Sequence, residues 1–252
     1  MSGHSHAKKI LHKKQFTDAK RGQIFSKLAR AISVAAKENG NPETNPKLRQ
    51  VLEEAKKFAL PKENIERAIK KGTGELGGER LEEVVFEAFG PGGIAIIIEG
   101  ITDNKNRALG EIKQILNQNG GKLAGEGSVR WMFERKGVIT ANNEQKTPQE
   151  NLRFPTGQAI SKEDLELLAI ESGAEDISWD NDNLDIYTKP DDLEKVKKNL
   201  EEKGVKIESS SLGWVAKEML EVKEKEKESC QKLFEALDEN DAVQDIYSNL
   251  KI

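Results

Sequence analysis

Apolar residues change their spacing about one third of the way along the chain. From Thr17 to Lys37, Ile24, Phe25, Leu28, Ile32 and Ala35 recur three and four residues apart, a helical stripe stopped by Gly40 and Pro42. Asn45 followed by Pro46 reads as a helix cap and first helical residue, and Leu48, Val51, Leu52, Ala55 and Ala59 give that helix its apolar face. A third helix starts at Pro61 with Ile65, Ala68 and Ile69 inward, and Gly72 is expected to cap its end. The Gly-rich stretch 72–78 then reads as a hinge.

Beyond it the period becomes two. Val84, Phe86 and Ala88 alternate with acids, and Gly90-Pro91-Gly92-Gly93 turns the chain into the unbroken run Ile94 to Ile98, which predicts a hairpin with a buried inner strand. Asp103 is expected to cap a helix with Leu109, Ile112 and Leu116 on its core face, ended by Gly120-Gly121; Val129, Trp131 and Phe133 alternate as a further strand. From Gly137 the pattern reads as βαββαβ: strands at 138–140, 177–179, 184–187 and 205–207, helices at 161–172 and 191–203. That is the ferredoxin-like order. The polar stretch 141–160 reads as a loop. Trp214 to Leu220, a Lys/Glu-rich helix 223–237, and Val243 to Tyr247 give a last β-α-β, able to complete the first α/β unit. The expected class is therefore α+β: a helical domain 1–77, a discontinuous α/β domain 78–136 plus 209–252, and an inserted ferredoxin-like domain 137–208.

Charge follows the same division. Residues 1–75 hold 17 Lys/Arg against 8 Asp/Glu, a net +9, whereas the remainder holds 23 against 36, a net −13; the whole-chain value of −4 conceals the contrast. A basic helical segment builds the potential that attracts a phosphate backbone, and acidic partner domains would confine nucleic acid to it. The cations proposed to meet phosphate are Lys8, Lys9, Lys13 and Lys14, with His4 and His12, in the N-terminal arm, continuing into Lys20, Arg21, Lys27 and Arg30 off the apolar stripe. A second contact surface is expected at Gly90, Pro91 and Gly92 together with Asn104, Lys105, Asn106 and Arg107, where amide and cationic donors surround a helix start.

Other classes of chemistry lack their motifs. Gly90 to Gly93 precedes a strand with no Gly-Lys-Ser/Thr, so it is not a phosphate-binding loop, and no nucleophile elbow, paired metal-binding histidines or dinucleotide fingerprint occurs. The three histidines lie in a polar arm with no carboxylate or thiolate near in sequence, and a metal is not expected there. Cys230 is the sole cysteine, which excludes an internal disulfide. No apolar run is long enough to span a membrane. The expectation is a cytoplasmic, non-enzymatic protein with nucleic acid as partner, without cofactor, small-molecule substrate or membrane. Neither an operator-reading helix nor an RNA-binding aromatic sheet motif is evident, so DNA and RNA both stand, as does a different class, a scaffold whose basic domain meets an acidic protein.

Several motifs in order carry a resemblance: Gly3-His4-Ser5, His12-Lys13-Lys14, Asp18-Ala19-Lys20-Arg21-Gly22, the stretch from Pro61 to Gly74, Gly90-Pro91-Gly92-Gly93, Thr102-Asp103-Asn104-Lys105-Asn106-Arg107 and Gly127-Ser128-Val129. The chain resembles the YebC family nearly end to end. The resemblance implies a basic helical first domain and a ferredoxin-like third domain inserted into the second. It also implies one of two roles: DNA-binding transcriptional regulator, or ribosome-associated translation factor that contacts ribosomal RNA or tRNA and aids synthesis through proline runs. Where the family start has Lys then Trp, this chain has His6 and Ala7, which removes an aromatic from the arm.

Overall fold

The computed structural model describes residues 18–77, 80–142 and 160–251. Two compact units are present: one holds the described residues through Arg130 together with Leu220–Leu250, the other Trp131–Met219.

The first unit begins with α1 (Asp18–Ala35), α2 (Pro46–Lys57) and α3 (Lys62–Gly72). Ile24, Leu28, Ile32 and Ala35 are buried against Leu48, Ala55, Leu60 and Ala68, as the helical spacing requires. Asn45 joins the first two helices: its amide donates to Ala35 O and Asn39 O, both at 2.7 Å, while its Oδ1 accepts from Leu48 N at 3.0 Å. Gly72 does not act as the cap expected of it. It is the last helical residue of α3, and a Cβ there would collide with the Ser33 carbonyl and lie 2.8 Å from Ala36 Cβ. Its missing side chain lets α3 touch α1, where Ser33 Oγ donates to Ala68 O at 2.8 Å.

The same unit then forms β1 (Glu82–Phe89), β2 (Ala95–Thr102), α4 (Lys105–Gln118) and β3 (Lys122–Leu123). The expected hairpin is present, with Phe89 opposite Ala95 across the Gly90–Gly93 turn. Asn104, not Asp103, caps α4 by accepting from Arg107 N at 3.1 Å; Leu109 is exposed, and Ala108 joins Ile112 and Leu116 inside instead. The segment 129–132 is a turn rather than the expected strand start. The reason is Glu87, buried on β1, whose carboxylate accepts from the backbone N–H groups of Gly127, Val129 and Arg130 at 2.8, 2.8 and 3.0 Å.

The other unit carries β4 (Phe133–Asn142), α5 (Lys162–Ser172), β5 (Asp176–Asp180), β6 (Asn183–Thr188), α6 (Leu193–Glu202) and β7 (Ile207–Ala216). Its sheet order, β5-β6-β4-β7, is that of a ferredoxin-like βαββαβ. Trp214 to Ala216 form the end of β7 in this sheet, with Trp214 opposite Arg135, so the stretch 214–220 is not the separate strand of the last β-α-β read from it. This unit's first and last strands along the chain are longer than periodicity indicated, because β4 and β7 pair from Phe133↔Ala216 to Ala141↔Ile207. Residues 143–159, most of the expected loop, lie outside the described residues.

The chain returns to the first unit through α7 (Glu224–Asp238) and β8 (Val243–Ser248). β8 pairs with β2, giving the order β3-β1-β2-β8 and completing the sheet. Ile94, Ile96 and Ile98 are sealed between α4 and α7 by Ile112, Leu116, Leu233 and Leu237. Cys230 lies in the same core with its thiol pushed up to about 11, first by burial and then by the Glu226 charge.

Candidate nucleic-acid interface

The arm residues His4, Lys8, Lys9, His12, Lys13 and Lys14 lie outside the described residues. Of the remaining expected cations, Lys20 and Arg21 stand on the first turn of α1, Lys20 half-buried and Arg21 exposed. The Arg21 guanidinium lies 5.4 Å from the centroid of the Phe25 ring, a cation-π distance.

Lys27 and Arg30 are committed elsewhere. Lys27 Nζ donates to both the carboxylate and the backbone carbonyl of Asp238, each at 2.7 Å, and its side chain is only 11% exposed. Gln23 adds a bond to the same carbonyl at 2.9 Å, so the end of α7 is held by two donors from α1. Arg30 donates to Asp241 O and lies 3.8 Å from that residue's carboxylate. These contacts brace the helical domain against α7, and the free phosphate contact expected of Lys27 is replaced by a structural one.

The expected second surface is divided. Gly90 to Gly92 precede β2 and Asn104 to Arg107 follow it, so the eight-residue strand holds them roughly 26 Å apart at its opposite ends. The two groups do not form one contiguous patch. Asn104 is occupied as a cap, Lys105 pairs with Glu82 at 2.9 Å, and Arg107 pairs with Asp103 at 2.5 Å and Glu111 at 3.8 Å. The Glu82 carboxyl is held below its ordinary value by the Lys105 hydrogen bond and charge.

Residues outside the expected list, together with Arg30 from it, line a recess. A cleft of about 460 Å³ runs between α1 and α3. Phe25, Ser26 and Arg30 contribute from one helix, and Asn64, Arg67 and Lys71 from the other, with no carboxylate among the described residues of its lining. Arg67 and Lys71 are exposed, sit one turn apart on α3, and pair with no carboxylate among the described residues. Small side chains at Gly22, Ala29 and Ala68 leave the space open. The signal was present in the chain as Asn64, Arg67 and Lys71 at helical spacing, but which face of α3 they share with α1 depends on how the helices dock.

In the ferredoxin-like unit the Arg135 guanidinium lies 5.2 Å from the Trp214 ring centroid. Trp179 of the same unit donates to Glu166 at 2.6 Å and lies under the Lys162 ammonium at 4.7 Å, and Tyr187 is buried. Among the described residues no group of three His, Cys, Asp or Glu side chains is arranged to hold a metal ion, and no helix is long and apolar enough to cross a membrane.

Comparison with known proteins agrees with this architecture. Residues 5–75 match the TACO1/YebC protein N-terminal domain, and residues 81–250 match the TACO1/YebC second and third domain. A probable transcriptional regulatory protein of Caldanaerobacter subterraneus subsp. tengcongensis is 46% identical, covering 100% of this chain and 99% of that relative. One from Thermotoga petrophila is 44% identical over 100% of this chain and 94% of its own length. The crystal structure of a conserved hypothetical protein from Aquifex aeolicus superposes with a TM-score of 0.83 at 42% identity, covering 95% of this chain and 93% of that one. With both domain models matched in order and relatives aligned from end to end, the chain belongs to the TACO1/YebC family.

Proposed function

We propose that this protein is a non-enzymatic, cytoplasmic regulator of gene expression that binds nucleic acid through its helical domain. The observation that carries the reading is the α1/α3 cleft, where Arg67 and Lys71 face open space without a compensating carboxylate among the described lining residues. Such cations gain by replacing counterions on a phosphate backbone, whereas those already held by Asp238, Asp103 or Glu82 would first have to give up a partner. The names of the relatives support a regulatory role. The N-terminal arm carries charge of the same sign in Lys8, Lys9, Lys13 and Lys14.

One observation favours RNA, and with it the translational reading, over operator DNA. The cations stand inside a recess, while a major groove is read by a projecting helix. In this reading the protein works at the ribosome by position, fixing reacting groups rather than supplying a catalytic side chain.

The test is fluorescence anisotropy of the full chain with RNA and DNA across a salt series, comparing wild type with Arg67→Glu/Lys71→Glu. Affinity is expected to fall at least tenfold and the salt dependence to flatten. Unchanged affinity with an unchanged circular dichroism spectrum removes the cleft from function. Crosslinking in cells followed by sequencing of both nucleic acids decides between DNA and RNA, and partners that survive nuclease treatment would support the scaffold class instead.

A further inference from the structure

We infer that the α1/α3 cleft receives a single unpaired nucleotide, so that the protein selects single strands over duplexes; this rests on the nucleic-acid reading and deepens it. A surface that only gripped phosphates would need cations and no depth. This recess has cations and, between the helices, about 460 Å³ of space open to solvent. Its two ends differ in chemistry. Arg67 and Lys71 supply positive charge along α3, with Asn64 one turn earlier offering an amide donor and acceptor. On α1, Phe25 and Ala29 supply apolar surface, and Arg21 places a guanidinium 5.4 Å from the Phe25 ring centroid.

Charge and apolar surface side by side are what a nucleotide demands: an anionic phosphate, a flat π-face, and a base edge with donors and acceptors. An acidic peptide would meet the cations but leave the aromatic wall unused. A paired base cannot enter, because its edge and faces are already engaged in the stack, and extracting it costs unpairing energy.

The experiment uses the full chain with a 12-nucleotide RNA carrying one 2-aminopurine, the same strand in DNA, and the perfect DNA duplex. Wild type is expected to bind either single strand at least tenfold more tightly than the duplex, with a change in 2-aminopurine emission. Phe25→Leu, which keeps apolar bulk but loses the ring, is expected to weaken single-strand binding about tenfold without altering the salt slope. Arg67→Gln/Lys71→Gln is expected to lower that slope by about 1.4. Ser26→Leu, which fills the cleft without removing charge, is expected to abolish the emission change, and it guards against loss of fold in the Phe25 variant. Tighter binding of the RNA strand names RNA as the source of the nucleotide, and tighter binding of the DNA strand names single-stranded DNA. Equal binding of duplex and single strand, or full emission change in Ser26→Leu, overturns the nucleotide cleft. If the Arg67/Lys71 pair still matters in that case, phosphate binding by the helical domain survives; if it does not, both readings fall.

Discussion

Lys27 reaches from the middle of α1 to the last residue of α7, where its ammonium lies 2.7 Å from the Asp238 carboxylate and 2.7 Å from the Asp238 carbonyl oxygen. The contact is largely hidden from water, so one positive charge satisfies an acid and, with Gln23, the helix end beside it. In sequence Lys27 is indistinguishable from the cations around it. Its replacement by methionine is expected to destabilise the fold by about 2 kcal/mol, since the Asp238 charge is left unpaired, while the salt slope of nucleic-acid binding stays as in wild type. Urea denaturation paired with a salt titration checks both halves.

Gly72 sits where α3 meets α1. Gly72→Ala would ordinarily help an exposed helix by up to about 1 kcal/mol. Here the added methyl meets the Ser33 carbonyl and Ala36, so a net loss of about 1–3 kcal/mol is expected, seen as a lowered thermal midpoint. A raised midpoint would mean that the helices do not approach this closely.

Glu87 should dominate part of the acid response. Burial pushes its carboxyl up, but the backbone donors of Val129, Gly127 and Arg130, aided by the Arg130 charge, outweigh burial and hold it below the ordinary 4.5. A depressed folded value means that its stabilisation is complete above the unfolded value and is lost as pH falls through the folded one. Glu87→Gln is expected to cost about 1–3 kcal/mol at pH 7 and to flatten the decline in stability below pH 4.5. Urea midpoints for both proteins between pH 7 and pH 3 give the comparison.

The ends of β2 should be separable from the cleft. Because Lys105 and Arg107 are already paired with Glu82, Asp103 and Glu111, Lys105→Gln/Arg107→Gln is expected to change nucleic-acid affinity less than twofold. The same anisotropy titration with Arg67→Gln/Lys71→Gln serves as the contrast, and an equal loss in the two pairs would restore the loop after β2 to the interface.

Local signals determined much of this protein. The apolar stripe of α1, the Asn45-Pro46 start of α2, the Gly90–Gly93 hairpin and the βαββαβ order were all readable, because each depends on neighbours within a few residues: a side chain capping its own helix, a turn closing on itself, a period matching one face. The strands that pair across the insertion were less so. β8 meets β2 only after the chain has run through another sheet, and Trp214 falls to that other sheet because β7 pairs with β4 as far as Ala216. The proposed surface was least legible. Charge counted along the chain shows where cations cluster, yet whether a given cation is free is a question about residues two hundred positions away: Asp238 captures Lys27 and Asp241 captures Arg30. Arg67 and Lys71 gain their place by the opposite route, since Gly72 and Ala68 let α3 lie close to α1 and thereby set a cationic wall beside Phe25. Sequence determines which side chains carry charge; packing decides which of those charges remain available to a partner.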